Sequence, residues 1–339
     1  MMLMMTILVG LGMLLGAAEP DGDLQSVSRI VNSVEMPGFT MCVEVEGTHA
    51  FVGYRGGMAI FDITEPAEPQ LIRDVRRDGY QVHQIRVQGD YAYLAAGFGG
   101  LVVVNIKDLS KAWTIYQNST LVEVKGLDVA GDRAYTSGGS RGVVSFDISE
   151  PGNPKILAQR QMEKSSPFVA VEGSYGYVGD RLSGLIVLDM KKENHIRRIS
   201  STRTEHEAFG LHVEGTTVYI ADKNAGLTIM DARMPRRPVM LSTVQLGDFA
   251  YSVDVVNSTA YVCDSESGVK VVDVSDLTKP KVIEGVDTPD HAYQIEVIGR
   301  YGYVADGQGG LQVIDLHAHP DRRLAVLEHA TEGVDRRLF

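Results

Sequence analysis

Apolar residues along this chain fall into short alternating or continuous runs separated by Gly, Asn, Asp and Pro, the pattern of half-buried and buried β-strands. The pattern is also periodic on a longer scale. A valine recurs at Val45, Val87, Val129, Val171, Val213, Val255 and Val297, each step being 42 residues. Six residues after each valine stands one aromatic: Phe51, Tyr93, Tyr135, Tyr177, Tyr219, Tyr261 and Tyr303. A third series, Asp62, Asn105, Asp147, Asp189, Asp231, Asp273 and Asp315, keeps the step except for one interval of 43, where the first copy has a shorter turn. Three registers held in phase define seven copies of one unit.

Each unit reads as four short strands, clearest in the last, where Lys281 to Val286 precedes Ala292 to Ile298, Tyr301 to Ala305 and Leu311 to Leu316. The innermost strand is named A, followed by B and C, with D leading to the next A. The A–B turn carries Gly47, Gly89, Gly131, Gly173, Gly215 and Gly299, with Asn257 in the sixth copy. Asn replaces Gly best at positive φ, so one turn geometry is expected in all seven.

Four antiparallel strands in about 42 residues are the signature of a propeller blade. The chain is therefore expected to be all-β: a seven-bladed β-propeller over residues 19–330, followed by a loose tail, 331–339. Val27 to Glu35 reads as a D strand without a blade of its own. It is expected to complete the seventh blade, because pairing the two chain ends removes an open edge; Arg323 to His329 competes for that slot.

The C strands Leu101 to Asn105 (LVVVN), Gly184 to Asp189 (GLIVLD), Val269 to Asp273 (VKVVD) and Leu311 to Asp315 (LQVID), with Tyr303 to Asp306 (YVAD), carry a family likeness. Over about residues 27–325 the chain resembles the LVIVD-repeat family of β-propellers, common in exported and cell-surface prokaryotic proteins. The resemblance implies the scaffold and says little about activity. Two places depart from the pattern: Gly142 to Asp147 reads GVVSFD, and Lys191 to His195 replaces a Pro-containing turn.

Composition narrows the function classes. With 339 residues, 44% hydrophobic and 22% charged, the chain is neither disordered nor a coiled coil. A net charge of −12 argues against nucleic acid, which needs a basic face. Met1 to Ala18 carries no charged side chain, and Ile7 to Leu15 is an apolar run followed by Gly16, Ala17 and Ala18. This reads as a signal peptide cleaved after Ala18, although a basic n-region is missing, and implies a secreted, periplasmic or cell-surface protein. An uncleaved anchor is the alternative, and the only membrane contact expected. Cys42 and Cys263 lie on different strand types in non-adjacent units, so two separate buried thiols are expected.

Candidate chemistry lies at loops and in the channel. The D–A and B–C connections share one face, and the aligned B–C positions are Tyr54, Ala96, Gly138, Asp180, Asp222, Asp264 and Asp306. The nearby D–A loops add His206, Glu207, Asp248, Asp290 and His291. One reading is an acidic binding rim able to hold a divalent cation; the other is that each Asp caps its own turn. In strand A the residue before each valine is Glu44, Arg86, Asp128, Ala170, His212, Asp254 or Glu296, a series expected to face the channel. Asp254, Glu296 and Glu44 then form an acidic arc beside Arg86, either a site for a metal such as Ca²⁺ or a channel wall paired with Arg86.

Other motifs are weaker. Gly138 to Gly142 matches G-x-S-x-G but lies between two strands of one blade, without the strand-to-helix elbow that nucleophile requires. His317 and His319 lack a third ligand. The tyrosine series reads as packing between blades, and Trp113 falls in a C–D connection without an aromatic partner. The functional expectation is an exported, monomeric, non-enzymatic propeller that binds a protein or glycan partner on one face. Its alternatives are a metal-dependent hydrolase or lactonase-like propeller with its site at the channel mouth, and a structural cell-envelope module.

Overall fold

A computed structural model describes residues 28–316 apart from 119, 122 and 163–167. The leader (1–18), the competing segment Arg323 to His329 and the tail 331–339 lie outside the described residues. The first strand, β1 (Arg29–Val34), comes first in the chain and last in the ring. Blade 1 consists of β2 (Thr40–Glu46), β3 (His49–Asp62) and β4 (Gln70–Gln81). Here strands B and C are continuous as β3, which pairs with β2 through its first half and with β4 through its second.

Blade 2 is β5 (Gln84–Gln88), β6 (Tyr91–Ala95), β7 (Leu101–Asn105) and β8 (Trp113–Asn118). Blade 3 is β9 (Val124–Ala130), β10 (Arg133–Gly138), β11 (Gly142–Asp147) and β12 (Lys155–Arg160). Blade 4 is β13 (Phe168–Glu172), β14 (Tyr175–Asp180), β15 (Gly184–Lys192) and β16 (His195–Thr202). Blade 5 is β17 (Leu211–Glu214), β18 (Thr217–Ala221), β19 (Leu227–Asp231) and β20 (Val239–Val244). Blade 6 is β21 (Ser252–Val256), β22 (Thr259–Cys263), β23 (Val269–Asp273) and β24 (Lys281–Val286). Blade 7 is β25 (Gln294–Ile298), β26 (Tyr301–Ala305) and β27 (Leu311–Asp315), completed by β1 in antiparallel pairing with β27.

The repeating residues each have a mechanical role. The valine on every strand A packs toward the preceding blade, and the aromatic on every strand B packs toward the following one. Val129 and Tyr93, for example, share the layer between blades 2 and 3, while Val255 and Tyr219 share that between blades 5 and 6. Tyr303 crosses from blade 7 to blade 1, where its hydroxyl also donates to the Pro66 carbonyl at 3.0 Å. The core is therefore seven apolar layers between blades rather than one central mass. Cys42 and Cys263 are free and buried in two different layers, as expected.

The third series ends strand C with a side-chain cap. The Oδ1 atoms of Asp62, Asn105, Asp147, Asp231 and Asp273 accept the backbone N–H two residues on, at 2.8–3.1 Å. Asp315 pairs with Arg300, at 2.6 Å from its Nε. Each C–D pair has a register shift at the same level, including β27–β1, which bends the outer edge. The closing strand thus carries the same bulge as an ordinary D strand.

One expectation needs correction. The six A–B glycines share φ between +57° and +59°, with no positive φ at the next residue, the pattern of a type II′ turn. In the sixth unit Asn257 and Ser258 are both positive, at +49° and +58°, the type I′ pattern. The first position of a II′ turn is glycine territory, whereas I′ accepts Asn, so the substitution changes the turn while preserving its two-residue length. A Cβ at Gly215 would meet nothing within 4 Å, so Gly215→Val should cost backbone strain alone, about 1–3 kcal/mol. Asn257→Gly should stay within about 0.5 kcal/mol. Urea unfolding of the two variants checks both values.

Candidate functional site

Strand A of each blade is an inner edge, and its outward N–H groups need acceptors. The channel series supplies them one blade away. Asp128 Oδ2 accepts the Val171 N–H at 2.7 Å, and Asp254 Oδ2 accepts that of Val297 at 2.9 Å. Glu44 accepts the Val87 N–H in the same relation. Arg86 bridges two of the acids, with Nη1 at 2.8 Å from Glu44 and Nε at 3.2 Å from Asp128. His212 Nδ1 lies 3.3 Å from Asp254 Oδ1.

The structure therefore brings Glu44, Asp254 and Glu296 into the channel together with Arg86. Among the described residues, no three or more acidic, His or Cys side chains converge as an ion-binding group. Burial, then the nearby Asp254 and Glu44, raises the Glu296 carboxyl well above its ordinary value, with Arg86 opposing. Burial also raises Glu44, again against Arg86. Burial works against the Arg86 charge as well, but Glu44, Asp128 and Glu296 outweigh it and keep the guanidinium protonated.

The rim residues behave differently from a ring of open ligands. Asp180, Asp222, Asp264 and Asp306 are fully buried. Asp180 Oδ1 accepts the N–H groups of Leu182 and Ser183 at 3.0 and 2.7 Å. The other three reach the D–A loop that enters their blade. Asp222 accepts from the Thr204 hydroxyl at 2.8 Å and the Glu205 N–H at 3.1 Å; the His206 N–H points at the same carboxylate. Asp264 accepts from Gly247 and Asp248, and Asp306 from Asp290. Burial raises the carboxyls of Asp222, Asp264 and Asp306. Of the loop residues, Asp290 Oδ1 lies 2.8 Å from His291 Nδ1, and Asp248 Oδ2 accepts the Glu266 N–H at 3.3 Å.

The same face holds a feature at the channel mouth that sequence reasoning missed. A concave well with a cavity volume of ≈ 180 Å³, open to solvent, is lined by Phe209, Tyr251 and Tyr293 from blades 5, 6 and 7. Across it stand Met41, His83 and Lys125 from blades 1, 2 and 3, with Arg181 at the side. The rings form a continuous arc: Phe209 to Tyr251 at 5.4 Å, Tyr251 to Tyr293 at 4.9 Å, and Tyr293 to Phe39 at 5.3 Å. Arg181 lies over Phe209 at 5.4 Å, and Arg55 over Phe39 at 5.5 Å. Burial, then Lys125 and Arg55, pulls the His83 imidazole down to about 4, so it is neutral at physiological pH.

The signal for this well was present in the repeat. Met41, His83, Lys125, Phe209, Tyr251 and Tyr293 occupy one register, four residues before the valine. Nearby, Phe98 and Leu182 on the B–C turns are 57% and 58% exposed. The G-x-S-x-G match runs from β10 through a 3-10 turn, Gly139–Arg141, into β11, with no strand-to-helix elbow. His317 and His319 lie outside the described residues.

Two consequences follow for the channel. Arg86→Met leaves Glu44 and Asp128 without their cation and should destabilise by about 2–4 kcal/mol, less than for a dry pair because the Arg86 side chain keeps 29% of its surface exposed. A carboxyl raised in the folded state loses stability as pH climbs past its unfolded value. Glu296→Gln should therefore stabilise above about pH 4.5, with the gain fading below that pH. Thermal unfolding across pH checks both.

Comparison with known proteins agrees with this architecture. The LVIVD repeat matches residues 37–76, 79–113, 165–191, 207–245, 247–288 and 289–318, leaving blade 3 largely unmatched. No curated protein matches the chain in sequence. Among solved structures, the computationally designed Ika8 protein is similar, with a TM-score of 0.62 and 11% identity over 85% of this chain and 99% of that one. Sqt1 of Saccharomyces cerevisiae is similar with a TM-score of 0.65 and 9% identity over 86% of this chain and 99% of that one. At these identities the likeness concerns the fold alone. With its repeat matched over more than half of its length and its seven blades closed by β1, the chain belongs to the LVIVD-repeat family.

Proposed function

We propose that this protein is a non-enzymatic binding propeller, exported from the cell, that takes a protein partner on its D–A/B–C face. The observation that carries the reading is the concentration of apolar and aromatic surface there. Phe98 and Leu182 stand exposed on the turns around a well walled by Phe209, Tyr251 and Tyr293. Exposed apolar groups around a concave centre, with aromatic and Arg anchors, are the usual make-up of an interaction surface. The uncharged leader, residues 1–18, supports export.

Structural roles for the acidic residues, rather than turnover, are supported by their hydrogen bonds. Both Asp254 oxygens are engaged by backbone N–H groups, and Glu44 is held by Arg86. The buried rim aspartates fasten D–A loops to their blades.

The test is surface plasmon resonance of wild type and the triple variant Phe98→Ser, Leu182→Ser, Tyr251→Ala against extracellular proteins and a glycan panel. A protein ligand should bind wild type and lose at least about tenfold in the variant, since truncating one anchor typically costs over 1 kcal/mol. Equal binding by the triple variant, or binding by glycans alone, would sink the reading. The variant Glu44→Gln, Asp254→Asn, Glu296→Gln should bind as wild type does.

A further inference from the structure

We propose that the well at the channel mouth is a binding site for a free small organic anion with a planar aromatic body, an arylcarboxylate in shape and charge. This goes beyond the partner-binding reading and does not depend on it. The aromatic arc sets the shape of the ligand. Tyr251 meets Tyr293 at 4.9 Å with planes tilted by 48°, while Phe209 and Phe39 stand edge-on at the two ends of the arc. The wall therefore offers ring surface to a flat ligand, and a cavity of ≈ 180 Å³ lies in front of it.

The charge around the well sets the sign of the ligand. The protein carries −12 overall, yet among the described residues no carboxylate lines the well. Lys125 lines it, and Arg55 caps the end of the arc; neither has a carboxylate partner among the described residues. Arg181 is shared with Glu207 at 2.7 Å, so it contributes less free charge. Cations gathered without counter-ions beside an apolar wall favour an anion, and a ligand combining charge with a flat body uses both walls at once. His83, neutral between Lys125 and the blade, offers a hydrogen-bond partner on the cationic side.

The probes are 2-naphthoate and its neutral amide, titrated calorimetrically into the whole chain. Naphthoate should bind with a stoichiometry near one and at least about tenfold more tightly than the amide, the difference expected of a charge-assisted contact. Lys125→Gln combined with Arg55→Gln should erase that preference while leaving the melting temperature near wild type. Tyr251→Ala should weaken both probes. By NMR, bound naphthoate should move the His83 pKa upward from about 4, a readout that also serves if a variant folds poorly.

Equal affinity for acid and amide, or a preference that survives loss of both cations, would overturn the proposal. So would tighter binding of an acetylated dipeptide ending in phenylalanine, because the occupant would then be a chain end. Phe98→Ser with Leu182→Ser should leave naphthoate binding unchanged. Loss of partner binding in that variant, with naphthoate retained, separates the fate of this site from that of the partner-binding face.

Discussion

Each blade of this protein is apolar on both faces, and that two-sidedness is the constraint from which the remaining structure follows. A four-stranded sheet with valines on one side and aromatics on the other cannot bury both alone. Each apolar layer belongs to two blades, so a terminal blade left without a neighbour would expose Tyr303 or Val45. Closure is therefore a condition of burial for every blade. The strand that achieves it, β1, comes from the opposite end of the chain and pairs with β27 from Arg29 to Val34. Its bulge between Ile30 and Asn32 matches the outer strands of the other six blades, so the seventh ends in the same bent edge.

Closure creates a second problem, and the channel series answers it. Seven inner strands face one another without pairing as sheets, leaving edge N–H groups in a confined space. A carboxylate one residue before the valine reaches the valine N–H of the next blade, as Asp128 does for Val171 and Asp254 for Val297. Acids suit this role because each accepts several donors, but their repulsion needs a cation. Arg86 provides it between Glu44 and Asp128. Glu296 lies farther along the arc, beside Asp254 and Glu44, and burial with those neighbours favours its protonated form.

The sequence made the ring legible because blade geometry imposes a period that side chains must obey. Val45 and its six equivalents, and Phe51 with the tyrosines, recur because each fills the same slot between blades. The unpaired D strand was legible for the same reason, being a strand pattern with no blade of its own. The rim was harder to read. Phase placed Asp180, Asp222, Asp264 and Asp306 at B–C turns, but not the direction of the side chains, which point inward to backbone N–H groups. The sixth turn hid its type because Asn257 permits positive φ but does not reveal what Ser258 adopts. The well stayed hidden because its register mixes Met41, His83 and Lys125 with three aromatics, so no chemistry repeats. Phe39 joins Tyr293 only after the ends of the chain meet.

The two polar levels of the channel differ in what they leave unsatisfied. In the middle, the carboxylates of Glu44, Asp128 and Asp254 are consumed by backbone N–H groups and Arg86, so that level is largely self-compensated. At the mouth, Glu207 engages Arg181 and Lys223, while Lys125 and Arg55 keep no carboxylate partner among the described residues. Their field is concentrated by low-dielectric aromatic walls, and it adds to the burial that chiefly lowers the His83 imidazole. Their position beside a well lined by residues of all seven blades is the physical ground for the proposal that the mouth is the functional end of the channel.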